Sequence, residues 1–174
     1  MPVGNTNIFA STVDEFTEGA FAVFGQGTLG ETRPRVSASW RRGEDGKITS
    51  ATLSLTINAT TAHWAGSGMR DGRRQPQPDA ANRTAIDRVE ALNRAHEQRH
   101  IDTYQSTFDA HKTEVERLYV GKTEAEAAAV TGVMAQYLRD ACEALHRVEG
   151  LITVTRTGAQ ISVTVSPSGP GGCE

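Results

Sequence analysis

Near the middle of the chain stand five consecutive residues, His96-Glu97-Gln98-Arg99-His100, whose types and spacing suit metal-assisted hydrolysis. Two histidines four apart on a helix project from one face, so both imidazoles reach a single ion. A glutamate directly after the first histidine stands beside that face, where it can take a proton from an attacking water while zinc lowers that water's pKa. The expectation is a Zn2+ site with His96 and His100 as ligands and Glu97 as general base, acting on a peptide or protein substrate. The plainer reading is a polar helix with two chance histidines. Against it, the chain has only five histidines, and these two occupy positions in an apolar stripe, where a buried imidazole needs a partner.

A catalytic zinc takes three protein ligands and leaves one position open. No third histidine follows shortly after the motif. His111 lies 15 residues beyond His96, about 22 Å along an unbroken helix, and reads as a surface or core residue. If two helices fold back about Gly121, the positions mirroring His100 and His96 are Cys142 and His146. His146 is therefore the expected third ligand, with Glu143 second. Asp140 is the fallback, because an apolar face centred on Val130, Tyr137, Ala141 and Val148 would turn His146 away on an ideal helix. Tyr104, one turn beyond His100, is a candidate donor to the oxyanion of a tetrahedral intermediate, and His63-Trp64 is expected to border the cleft.

Two other site classes use the same residues. Cys142 could fill zinc's fourth position, giving a closed, non-catalytic site in a metal-stabilised protein-binding module. Glu97-x-x-His100 with Glu143-x-x-His146 also matches half of a di-iron carboxylate site, which needs two more helices, each giving an inward Glu. The rest of the chain reads as strands.

The elements that must position these residues form an α+β pattern. Residues 1–64 are strand-rich, and antiparallel strands are expected at Ile8 to Val13, Ala20 to Phe24, Val36 to Trp40 and Ile48 to Ile57. In the last, Leu53, Leu55 and Ile57 alternate with Ser and Thr. Glu44-Asp45-Gly46 supplies the turn before it. Residues 65–78, rich in Gly, Arg, Gln and Pro, read as a loop and a candidate lid or cleft rim. Asp79 caps a helix expected over about 80–118, and Thr123 with Glu126 forms a capping box for a second, ending near Val148. Together they make a long antiparallel helical hairpin over 79–149 that carries the motif. A β-hairpin over 150–166 and a loose tail over 167–174 complete one domain of 174 residues.

A composition of 37% hydrophobic and 22% charged residues, with a formal charge of −3, is that of an ordinary globular chain. It gives no basic patch for nucleic acid. No apolar run approaches the ~20 residues of a membrane span. Met-Pro-Val-Gly-Asn at the N-terminus lacks the pattern of a signal peptide, so the protein is cytoplasmic, or secreted or periplasmic with its leader removed. Cys142 and Cys173 form one disulfide or remain two thiols. Oligomeric state is not legible.

From Thr32 to Gly150 the pattern resembles bacterial domain-of-unknown-function family 922, described as predicted secreted zinc-dependent proteases. The likeness lies in the strand pair around Trp40 and Ile48 to Ile57, in Trp64, and in Ala91-Leu-Asn-Arg-Ala-His96-Glu97-Gln-Arg-His100. It implies a zincin-like fold, with His96 and His100 on the metal and His146 at the place of a later family histidine. The chain departs from the family at Arg99, where a Gly is usual. It departs again at Ala141, Ala144 and Arg147, where the family has Asp, Thr and Gly.

Overall fold

Strand β3 (Ile48–Trp64) pairs on both sides, and the site is assembled against it. A computed structural model describes residues 2–168 and 173. In it β2 (Gly30–Arg42) runs antiparallel to β3, and β1 (Gly4–Ile8) runs parallel to β3 on its other side. Glu44-Asp45-Gly46 makes the expected turn: Gly46 has φ +75°, and the Lys47 amide donates to Asp45 Oδ1 at 3.0 Å. Leu53 and Ile57 point inward at alternate positions, as the period requires. Ile48 is out of phase with them yet buried, because the pairing slips by one residue between Arg41 and Arg42.

The first segment departs from expectation. Val13–Phe24, expected in part as strand, is helix α1, and the strand before it spans Gly4–Ile8. The Thr12 hydroxyl accepts from the Glu15 amide at 3.1 Å, while Glu15 Oε2 accepts from the Ser11 amide at 2.8 Å. These bonds satisfy donors that a helix start leaves open. Val13, Phe16 and Ala20 then bury one face at steps of three and four. The Thr12-x-x-Glu15 start signal outweighed the β-branched and aromatic content of the segment. The strand-rich region is correspondingly mixed, with one parallel pair, rather than wholly antiparallel.

Residues 65–78 contain two short paired strands, β4 (Met69–Arg70) and β5 (Arg73–Arg74). Helix α2 (Ala80–Leu118) begins on Asp79, whose side chain accepts from the Asn82 amide. Helix α3 (Glu124–His146) begins on the Thr123–Glu126 capping box. Between them Gly121, at φ +82°, donates its amide to Ile48 O, and the Ile48 amide donates to Lys122 O. The helix junction is thus pinned to the start of β3. Strands β6 (Leu151–Thr157) and β7 (Gln160–Ser166) pair antiparallel.

Ile48, Leu53 and Ile57 meet Tyr104, Phe108 and Val115 of α2, and Val130, Met134 and Leu138 of α3, in one apolar cluster. Each such side chain contributes about 1.5–3 kcal/mol by leaving water. A second cluster joins Phe16 and Ala20 of α1 to Ile86 and Val89 of α2 and Val163 of β7. Helix α2 spans both clusters, and the motif lies between them. The protein is α+β, with three helices among the described residues.

Candidate metal centre

Burial of α2 runs through Val89, Asn93, Glu97, His100, Ile101, Tyr104 and Phe108, at helical steps that place His100 on the covered face. On α3 the covered positions are Ala127, Val130, Met134, Leu138, Cys142 and His146. The apolar face expected around Tyr137, Ala141 and Val148 is therefore displaced: Val148 lies beyond the helix, 74% exposed. The stripe rotates along α3 because a different layer covers its end. There the Ser168 amide donates to His146 O at 3.0 Å, and Cys173 is bonded to Cys142. That layer turns an outward position of an isolated helix into a buried one.

The two helices touch at Tyr119–Thr131, His111–Tyr137 and His100–His146. The midpoints of these pairs fall at residues 123–125, at the N-cap of α3 rather than at Gly121. His146 consequently stands opposite His100, one turn beyond the expected register, and Cys142 does not.

His100 Nε2 lies 3.0 Å from His96 Nε2 and 3.0 Å from His146 Nε2. On a tetrahedron with Zn–N bonds of 2.0–2.1 Å, two ligand nitrogens sit about 3.3 Å apart. Hydrogen bonds alone cannot satisfy the cluster. His100 Nε2 offers one hydrogen or one lone pair, yet faces two nitrogens. A cation at the common centre uses all three lone pairs. The electrostatics agree: burial, then the neighbouring His146, pushes His96 down to about 4. Burial, then His96 and His146, pushes His100 down to about 3. Both rings are held neutral, as metal ligands must be. The donor set therefore fits a zinc ion.

Glu97 is 4% exposed, and its carboxylate faces strand β2. Thr32 Oγ1 donates to Glu97 Oε2 at 2.6 Å. Burial pushes the carboxyl up to about 7, against the lowering effect of the Thr32 bond and with a further push from Glu31. A Cβ on Gly30 would meet Thr60 O at 2.7 Å, Glu97 Oε1 at 3.0 Å and Asn93 Nδ2 at 3.1 Å, so this position admits only glycine without movement. The Asn93 amide in turn donates to Leu29 O at 2.8 Å. Gly30, Thr32 and Asn93 had no sequence signal as site residues, because their roles arise where β2 crosses α2.

A cleft of about 1080 Å³ opens onto the three histidines and Glu97. The start of β2 lines one side, and Leu151, Ile152 and Val165 of β6 and β7 line another. Tyr104 lines it too and stacks on His100 with centroids 5.8 Å apart. Burial, then Glu97, pushes the Tyr104 phenol up to about 12, so it stays a hydrogen-bond donor. Glu149 pairs with Arg99 and stands 3.9 Å from His96 Nδ1.

The remaining candidates lie elsewhere. Glu143 pairs with Arg147 on the surface, and Asp140 accepts from Gln136 at 2.7 Å. Neither carboxylate belongs to the histidine cluster, so the di-iron arrangement is not assembled. Cys142 is held in the disulfide with Cys173 and is unavailable to close the site in that state. His111 stacks on Tyr137 at 3.8 Å. His63 pairs with Glu90, and Trp64 lies under Arg83 and donates to Ala10 O; neither lines the cleft. The 65–78 segment does not rim it either: the Ala10 amide donates to Gly66 O, and Gly68 packs on Phe9.

Among the described residues no helix is long and apolar enough to cross a membrane. No family model matches the chain, and neither a curated protein nor a solved structure matches it.

Proposed function

We propose that this protein is a zinc-dependent metallopeptidase whose metal is held by His96, His100 and His146, on a helical hairpin formed by α2 and α3. The observation that carries the reading is the convergence of three imidazoles, with His100 Nε2 3.0 Å from each of the other two Nε2 atoms. Zinc bound there supplies a Lewis acid for the scissile carbonyl and lowers the pKa of the attacking water. Glu97 accepts that water's proton and passes it to the departing amine. Thr32 fixes one carboxylate oxygen of Glu97 in place, and Tyr104 donates to the developing oxyanion.

The cleft wall supports a peptide as the substrate. Among the described residues strand β2 stands at the edge of its sheet, paired with β3 alone, and its first residues line the cleft. An extended peptide can add to such an edge through main-chain hydrogen bonds. On this reading the chain is a relative of the zinc-dependent protease family it resembles. Arg99, foreign to that family's motif, is accommodated by its pairing with Glu149. The Cys142–Cys173 bond favours a secreted or periplasmic setting. The same bond weighs against a closed, non-catalytic site, since it occupies both cysteine sulfurs of the chain.

Metal content of tag-free protein, measured by mass spectrometry beside a His96→Ala/His100→Ala variant, tests the centre. One zinc per chain, lost in the variant, is expected. Glu97→Gln should keep the zinc and lower hydrolysis of an unstructured protein substrate by about 10²–10⁴-fold. Absence of metal after zinc is offered would overturn the centre. Hydrolysis undiminished in Glu97→Gln would remove Glu97 from the chemistry.

A further inference from the structure

The disulfide has a neighbour that it does not need for its own chemistry. Cys173 Sγ lies 3.5 Å from His146 Nδ1, on the side of the imidazole away from the three-histidine cluster. The sulfurs of Cys142 and Cys173 and a ring nitrogen of His146 all lie within 4.8 Å of one another. With Zn–S at about 2.3 Å and Zn–N at about 2.05 Å, a sulfur and a nitrogen on one tetrahedral ion stand about 3.5 Å apart. Only the two sulfurs are too close for that geometry, because a covalent bond joins them.

We propose that reduction of the Cys142–Cys173 disulfide creates a second metal site, formed by both thiolates and His146 Nδ1, for a thiophilic divalent cation such as zinc. Cys142 is 1% exposed on α3, so it is the fixed ligand. Cys173 is half-buried, and a turn of its side chain separates the sulfurs to about 3.8 Å. A trialkylphosphine delivers the two electrons that split the S–S bond and leaves as its oxide, taking the oxygen of one water. That water's two protons go to the sulfurs and depart when the metal binds. A neutral imidazole has one lone pair, so His146 serves one site at a time. Two thiolates with one imidazole bind a soft cation more strongly than three imidazoles do, and reduction draws His146 away from His96 and His100. A chain made in a reducing compartment passes through this state before its disulfide forms.

Cobalt(II) reports the ligands directly, because thiolate coordination adds a charge-transfer band that imidazole coordination lacks. Oxidised protein titrated with Co(II) should show no such band, and phosphine-reduced protein should show it at one equivalent. Reduced His96→Ala/His100→Ala should keep the band, which separates this site from the three-histidine centre. Reduced Cys173→Ala should need at least tenfold more Co(II) to develop the thiolate band, with far-UV circular dichroism matching that of the reduced parent. Reduced parent protein that retains its fold but gives no band overturns the proposal. So does a band that disappears in reduced His96→Ala/His100→Ala, since the thiolates would then be adding to the first centre. Failure of the three-histidine centre would appear instead as no Co(II) binding by the oxidised protein.

Discussion

Gly30→Ala tests how β2 and α2 fit together at the base of the cleft. The added Cβ would lie 2.7 Å from Thr60 O, 3.0 Å from Glu97 Oε1 and 3.1 Å from Asn93 Nδ2. Carbon and oxygen in contact prefer roughly 3.3 Å or more, so the carbonyl contact is short by about half an ångström. Thr60 belongs to β3, which is paired on both sides and yields poorly. The side chains of Asn93 and Glu97 yield more easily, at the expense of the Asn93–Leu29 bond and of the Thr32 bond to Glu97. Overpacking of this kind costs about 1–3 kcal/mol, which for a chain of this length lowers Tm by roughly 3–10 °C. The histidines sit on α2 and α3, so on the proposed function the variant should still bind one zinc. With Glu97 displaced, kcat should fall by at least tenfold while the metal remains. Calorimetry, metal analysis and peptidase kinetics on one preparation give all three quantities. Unchanged Tm with full activity would refute the close approach of β2 to the motif.

Two further expectations concern stability. Gly132 lies exposed inside α3, where an added methyl group would meet no neighbouring atom within 4 Å, so Gly132→Ala should stabilise the fold by about 0.5–1 kcal/mol; a loss in urea denaturation would contradict it. Metal-free protein should lose stability as pH falls from about 6.5 towards 4. His96 and His100, down at about 4 and about 3 from 6.5, are neutral when folded and take up two protons on unfolding in that window. Glu97, up at about 7 from 4.5, gives one back. The unfolded state thus binds about one proton more, so stability rises with pH by about 1.4 kcal/mol per unit near pH 5.5. Glu97→Gln removes the opposing proton and steepens the slope towards two protons, about 2.7 kcal/mol per unit. Urea titrations at three pH values measure it, and a flat or inverted dependence would contradict the burial of the two histidines.

Local patterns were legible in the sequence. The Asp79 cap, the Thr123–Glu126 box, the alternation of Leu53, Leu55 and Ile57, and the Glu44-Asp45-Gly46 turn depend on residues within a few positions of one another, and their physics is complete over that range. The His96-Glu97-x-x-His100 spacing is of the same kind. Helix α1 was also written locally, in Thr12-x-x-Glu15, but its Val and Phe content read as strand.

Tertiary structure decided everything that depends on which surfaces meet. An isolated α3 aims His146 away from Val130; Ser168 and Cys173 meet that second face, where His146 stands against His100. The junction of the two helices is hydrogen-bonded to Ile48, and their contacts lie a turn away from the mirror about Gly121. Thr32, Gly30 and Asn93 acquire roles at Glu97 only through the crossing of β2 over α2. Helix and turn signals reside in short-range geometry, so the sequence by itself could place two histidines and a glutamate on one helix. The contacts of His146 with His100 and of Thr32 with Glu97 span 46 and 65 residues of chain, which no local spacing encodes.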